Sequence, residues 1–414
     1  MVWQSVLGCG VFIGLAWVMS ENRRRVNLRL LGMGVLLSFA AALVLMKIPV
    51  MRDGFMLLNR MVAALQAATT AGTSFVFGYL GGAELPFVET FPGSSFILAF
   101  QALPMVLLMS ALSSLLFFWK LLPAVVQALS WGLRKTMRIG GAEGLSNAVN
   151  VFVGMVEAPL FIRPYLDRMT RSELFSVMTC GMANVAGTVM ALYASIIGSR
   201  LPNAMGHILV ASLLSLPASI TIARIMIPET GETTAGEMTA PETATSSMDA
   251  VTQGTLEGVH LLVNIIGMLI VLVALVTLVN LIFGLLPDVA GSPLSLQRIA
   301  GLVMAPVCWL MGVPWSEAPA AGSLMGTKTV LNELIAYVDM SRLPAGTLSP
   351  RSILIMTYAL CGFANPGSLG IMIGGMSTMA PGRRNEIVEL GLRSIVSGTL
   401  TSCMIGSMVG VIGA

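Results

Sequence analysis

Glu157-Ala158-Pro159 followed by Cys180-Gly181-Met182-Ala183-Asn184 recurs as Glu317-Ala318-Pro319 followed by Cys361-Gly362-Phe363-Ala364-Asn365. In both copies an acid and a proline interrupt one apolar stretch, and a glycine and an asparagine interrupt the next. Proline removes a backbone donor and glycine loosens the chain, so these are broken helices. Paired broken helices in two halves of a membrane protein mark a transporter's binding site.

Composition supports that setting. The 414 residues are 56% hydrophobic and 10% charged, with a mean hydropathy of +0.86. A soluble domain carries about 25% charged residues. A net charge of +3, dispersed along the chain, gives no footprint for nucleic acid. The five cysteines lie in apolar runs without the close pairing of a metal site, and the two histidines are far apart. The N-terminal apolar run lacks a basic leader and reads as a retained span.

A bilayer core takes about 20 apolar residues per helix. Eight runs qualify: Val2–Met19, Leu30–Val50, Phe96–Trp119, Leu174–Ile197, Met205–Ile227, Leu261–Leu285, Ile353–Gly375 and Ile395–Ile412. Glu143–Tyr165 and Ile299–Tyr337 carry too many prolines and polar groups for lipid-facing helices. Irregular backbone at membrane depth needs protein or a watery cavity around it, so both are expected to be re-entrant helical hairpins. Phe55–Leu80, with Arg60 and the Thr69–Thr73 patch, reads as an interfacial helix with a loop. Pro228–Gly258, rich in Thr and Glu, reads as a flexible cytoplasmic linker between the copies.

The basic clusters Arg23–Arg25, Arg134–Arg138, Arg163–Arg171 and Arg383–Arg384 fall on one side of an eight-span chain. The positive-inside rule makes that side cytoplasmic and puts both termini outside. The fold expected is an all-α polytopic membrane protein, with eight transmembrane helices plus two opposed re-entrant hairpins in an inverted repeat. The spacing from Glu-Ala-Pro to Cys-Gly is 23 residues in copy one and 44 in copy two.

Glu157 and Glu333 are the sharpest chemical candidates. A carboxylate at mid-bilayer costs about 2.5–3.5 kcal/mol on insertion scales, so it faces a cavity, an ion-pair partner or a helix end. Glu317 suits a helix cap as well as a ligand. Asn150, Asn184, Asn332 and Asn365 offer donors and acceptors to a polar ligand, to a cation or to neighbouring helices. Lys328 is expected to pair with a nearby acid. An enzyme would need a nucleophile with a base or a metal cluster, and a channel a filter or charged ring; the sequence offers neither.

Three runs resemble the concentrative nucleoside transporters: Asn150-Val151-Phe152-Val153-Gly154-Met155-Val156-Glu157-Ala158-Pro159, Gly322 through Lys328 to Asn332-Glu333, and Cys361-Gly362-Phe363-Ala364-Asn365-Pro366-Gly367-Ser368 with Thr378–Pro381. The resemblance runs from about Glu143 to the C-terminus. It implies a homotrimer in the plasma (inner) membrane that imports nucleosides with sodium, or in some branches protons, by an elevator movement, without a cofactor.

It further implies scaffold spans over 1–139 and 259–298, and a transport domain over 140–227 and 299–414, with 228–258 as linker. It places Met155, Val156, Glu157 and Val189 at the nucleobase, Glu333, Asn365 and Ser368 at the ribose, and Phe363 beside the ligand. Asn150, Val153, Asn184 and Val185 fall at the sodium site. The family usually has Gln-Thr or Gln-Ser where this chain has Met155-Val156. Those side chains cannot replace the lost hydrogen bonds, which implies a more apolar base pocket and altered selectivity, or a nucleoside-like metabolite as substrate.

Overall fold

The computed structural model describes residues 2–47, 49–89, 95–236, 244–288 and 293–413. All regular structure among them is helical. Six helices precede or open the first copy: α1 (Val2–Val18), α2 (Leu28–Lys47), α3 (Pro49–Phe77), α4 (Leu98–Gln101), α5 (Met105–Phe118) and α6 (Leu121–Met137). Copy one continues with α7 (Gly141–Asn150), α8 (Glu157–Leu160), α9 (Arg171–Ala183), α10 (Gly187–Ile197) and α11 (Ala204–Met226). The long α12 (Ser247–Phe283) leads to α13 (Leu296–Met311), α14 (Ala318–Val330), α15 (Glu333–Arg342), α16 (Pro350–Leu360), α17 (Pro366–Met379) and α18 (Arg384–Ile412).

The order α6–α11 is repeated by α13–α18, element for element. Among the described residues, six helical stretches are long and apolar enough to cross a membrane, including α9 and α10 taken together. The remaining two of the eight expected spans are the 17-residue α1 and the α16–α17 pair, which is broken at 361–365. Helices α7, α8, α14 and α15 have 10, 4, 13 and 10 residues. At 1.5 Å per residue none spans a core of about 30 Å, which is what a re-entrant arm requires.

Local chemistry sets the breaks. Thr170 and Glu173 form a capping box that starts α9. Asn365 caps α17 by accepting from the Ser368 N–H at 2.8 Å, with Pro366 in the first turn. Asn332 caps α15 through the Ile335 N–H at 3.0 Å. The two gaps meet: the Phe363 N–H donates to the Asn184 carbonyl at 3.3 Å. Gly362 has φ +154°, and a Cβ there would lie 2.9 Å from the Ala183 oxygen. Gly362→Ala is therefore expected to lower Tm in detergent by at least a few degrees, through strain on the order of 1–3 kcal/mol. An unchanged melting curve would show that the crossing tolerates a side chain.

The repeat differs from the sequence reading in one respect. Glu157 opens α8 and Glu333 opens α15, each just after a hairpin turn. Glu317 instead precedes α14, the first arm of the second hairpin. The structural counterpart of Glu157 is therefore Glu333, which stands 28 residues before Cys361, so the uneven 23 and 44 spacing narrows to 23 and 28. The Glu-Ala-Pro match is a coincidence of short apolar sequence, whereas the Cys-Gly-x-Ala-Asn match is positional. The stretch from Ile299 to Met311 belongs to α13, so the second hairpin is α14–α15. Glu317 does serve a helix end: its carboxylate accepts from Ser349 N–H and Oγ–H, each at 3.0 Å, at the start of α16.

The Thr69–Thr73 patch lies within α3, with Thr69 bonding back to the Leu65 carbonyl at 2.8 Å, and the irregular backbone begins only after Phe77. One other expectation is corrected. The proposed flexible linker is partly ordered. Ser247–Gly258 belongs to α12, and Thr234 bonds the Glu173 carboxylate through N–H and hydroxyl, both at 2.8 Å. Glu229 accepts from Arg224 at 2.6 Å and from the Thr170 hydroxyl at 2.7 Å, and Arg224 also pairs with the buried Glu143. Composition records polar residues but not whether they have partners. Residues 237–243 of that linker lie outside the described residues.

Helix α12 packs along α5, where Gly254 and Gly258 meet the Ser110 and Leu107 backbone. Small residues four apart permit that approach. Helix α1 rests on α18 and α13, with the Ser5 hydroxyl donating to the Met311 carbonyl at 3.0 Å. Glu21, in the turn after α1, pairs with Arg171 at 2.9 Å and with Arg393. Partial burial works against it, but those two arginines hold the Glu21 carboxyl below its ordinary range.

Candidate functional site

Glu333 is buried where α15 begins, and both its oxygens are used. Tyr193 Oη donates to Oε1 at 2.7 Å and Asn365 Nδ2 donates to Oε2 at 3.1 Å. The Asn365 amide is oriented in turn, since its Oδ1 receives the Ser368 N–H. This joins the second hairpin, the α16–α17 break and α10 into one polar junction. Charge-assisted hydrogen bonds of this kind are the strong ones. Tyr193 stacks at 5.2 Å on Tyr337, whose hydroxyl donates to the Thr357 carbonyl at 2.8 Å.

Tyr193 was not singled out from the sequence. A tyrosine in an apolar helix needs a partner for its hydroxyl when buried, and it stands one turn beyond Val189 on the same face of α10. Those two facts were the available signal. Phe363 and Ser368 sit beside this junction in the α16–α17 break and the first turn of α17, both half-buried.

The first hairpin tip docks on the other break. A Cβ at Gly187 would lie 2.5 Å from the Phe152 carbonyl oxygen, so the tip backbone runs directly over the start of α10. Asn150 Nδ2 donates to the Cys180 carbonyl at 3.1 Å. Asn184 and Val185 occupy the gap between α9 and α10, fully buried, and the Asn184 Oδ1 accepts from the Val185 N–H at 2.9 Å. The Asn184 Nδ2 is buried without a hydrogen-bond partner. Amides and freed carbonyls at such a break suit a monovalent cation held by neutral oxygens. His, Cys, Asp and Glu form no metal-binding group among the described residues.

Met155 and Val156 are lodged against glycines. Gly181 lies beneath the Met155 side chain, with 2.9 Å between its virtual Cβ and that of Met155. Gly375 of α17 leaves room for the Val156 methyls in the same way. Glu157 faces a cavity of about 630 Å³ between α5, α12 and this hairpin, shared with Val153, Thr188 and a second acid, Glu257. Val189, one residue from Thr188, is buried behind it. The residues inferred from sequence thus form three neighbouring groups: Glu157 and Val153 at the cavity, Asn150 with Asn184 and Val185 at the first break, and Glu333 with Asn365 and Ser368 at the second.

Lys328 makes no ion pair among the described residues, contrary to expectation. Its ammonium donates to the Ala359 carbonyl at 2.8 Å and to the Ser402 hydroxyl at 3.3 Å.

Two broken spans, two short hairpins and a polar junction at their crossing are the architecture of a membrane transporter. Models of the Na+-dependent nucleoside transporter N-terminus and C-terminus match residues 7–80 and 207–410, and a nucleoside-recognition gate model matches 99–200. The chain is 32% identical to the nucleoside permease NupC of Helicobacter pylori, over 98% of this chain and 97% of that one. It is also similar to a solved structure of CNTnw in an inward-facing substrate-bound state. The TM-score there is 0.91 at 34% identity, over 100% of this chain and 98% of that one. A CNTnw variant in an outward-facing state gives 0.90 at 34% identity, over 99% and 97%. The chain belongs to the concentrative, Na+-dependent nucleoside transporter family. It is a multi-pass membrane transporter and not an enzyme.

Proposed function

We propose that this protein is a secondary active symporter that imports nucleosides down a sodium gradient by an elevator-type movement. The observation that carries the reading is the Tyr193–Glu333–Asn365 junction at the meeting of the two breaks. A carboxylate and an amide side by side suit the paired hydroxyls of a ribose, with Ser368 beside them and Phe363 against the ligand. Met155, Val156, Glu157 and Val189 form the base end. Sodium is held by the neutral oxygens of Asn150, Asn184 and Val185, with Val153 contributed from the neighbouring cavity-lining tip. Sodium rather than protons is supported by the family's description as Na+ dependent.

The moving part comprises 140–227 and 299–414, and the static part the spans within 1–139 and 259–298, joined by 228–258. CNTnw adopts inward- and outward-facing states, which supports the elevator reading. Both termini lie outside the cytoplasm, in the plasma membrane. The exposed apolar flank of α12, with Val263, Ile270, Leu278 and Leu281, is covered by lipid or by neighbouring copies in a homotrimer. Met155-Val156 favours a second reading, a nucleoside-like metabolite as cargo.

Proteoliposomes with an imposed sodium gradient are expected to accumulate labelled nucleoside above the external concentration. Replacing sodium by choline at fixed pH should abolish accumulation. Absence of gradient-driven uptake for every nucleoside would overturn the symport reading, and competition by bases, ribose and nucleosides separates the two cargoes.

A further inference from the structure

The two half-helices that end at the breaks, α9 and α16, each leave carbonyls without an intrahelical partner. Their aligned peptide dipoles put a partial negative charge there. The two ends are treated differently. At α16 the freed Ala359 carbonyl receives Lys328 Nζ at 2.8 Å, and Ser402 of α18 supplies the ammonium's other contact at 3.3 Å. Lys328 is 1% exposed, on the first arm of the second hairpin. At α9 the freed Cys180 carbonyl receives Asn150 Nδ2, from the first arm of the first hairpin. The Asn184 carbonyl receives the Phe363 N–H. All the donors named at α9 are neutral.

We infer that Lys328 is a built-in cation: it satisfies the α16 end permanently, so that only the α9 end draws a cation from solution and the protein couples one sodium to each nucleoside. This rests on the symport reading above. The physical argument is that a buried charge is tolerated only with compensation. Lys328 has no carboxylate in ion-pair contact among the described residues, so carbonyl, hydroxyl and helix end compensate it. Removing the ammonium leaves those oxygens facing a vacated space that a small hydrated cation can fill. Placing an ammonium at the α9 end should have the reverse effect.

The test measures coupling stoichiometry in proteoliposomes as the membrane potential that nulls net nucleoside flux at fixed gradients. Wild type is expected to balance at one sodium per nucleoside. Lys328→Gln should move to two, with a Hill coefficient for sodium rising from about one towards two and a Tm that climbs with sodium more steeply than that of wild type. Lys328→Arg, which keeps the charge, should retain one. Asn150→Lys should transport nucleoside downhill without sodium dependence.

A Lys328→Gln protein that transports at one sodium per nucleoside, or whose Tm is no more sodium-responsive than that of wild type, overturns the inference. Should Lys328→Gln fail to fold, sodium-coupled accumulation by Asn150→Lys overturns it instead. Wild type lacking any sodium-dependent uptake would be a failure of the symport reading, visible before any variant is made.

Discussion

Glu333→Gln is expected to reduce nucleoside uptake by roughly 100-fold while leaving the fold intact. The glutamine is nearly isosteric. Its amide oxygen can accept from Asn365 Nδ2, and its NH2 group can donate to the Tyr193 oxygen, since a phenol hydroxyl both donates and accepts. The junction therefore survives in the empty protein. What disappears is the anionic acceptor for substrate hydroxyls. A hydrogen bond to a charged group contributes about 1.5–3 kcal/mol against about 0.5–1.5 kcal/mol for a neutral one, so two of them lose roughly 2–3 kcal/mol, a factor on the order of 100 in binding. Uptake in proteoliposomes and ligand-dependent Tm check this together. Uptake within a few-fold of wild type would remove Glu333 from the substrate site.

The second large effect concerns the base end. Met155→Gln with Val156→Thr is expected to tighten apparent affinity for common nucleosides by roughly tenfold, from two new hydrogen bonds at about 0.5–1.5 kcal/mol each. Both changes conserve shape, and the glycines at 181 and 375 that accommodate the native side chains accommodate the replacements. With no ligand, the amide at position 155 would be buried without a partner, because Met155 is 9% exposed. That costs about 1–3 kcal/mol. The double variant should thus melt lower than wild type when empty and gain more stability on adding nucleoside. An unchanged substrate profile would show that Met155 and Val156 do not face the base.

Much of this architecture is legible in the residues. Asn184 and Asn365 do stand in the breaks of their spans: Asn365 caps α17 with Pro366 in its first turn, and Asn184 ends α9 in extended backbone. Glu157 and Glu333 were singled out by the cost of a carboxylate in an apolar run, and each opens the second arm of a hairpin. Pairing across the fold was not legible. Glu317 matched Glu157 in its neighbours yet serves a different helix end. Lys328 suggested an acid and found a carbonyl. Tyr193 carried no motif and holds the central carboxylate. In each case the partner lies many residues away in the chain, beyond the reach of any short-range pattern.

Apolar run lengths, basic clusters and the repeated Cys-Gly-x-Ala-Asn phrase were enough to establish a polytopic helical chain with two broken spans. These depend on local backbone chemistry and on the thickness of a bilayer, both of which act over a few consecutive residues. The tertiary structure alone decided that Glu333, not Glu317, is the counterpart of Glu157, and that Glu333 joins Tyr193 to Asn365. It also decided that one half-helix end holds a lysine and the other an asparagine. Those outcomes depend on which helices cross and at what depth, because a buried polar group takes whichever partner the packing places within about 3 Å.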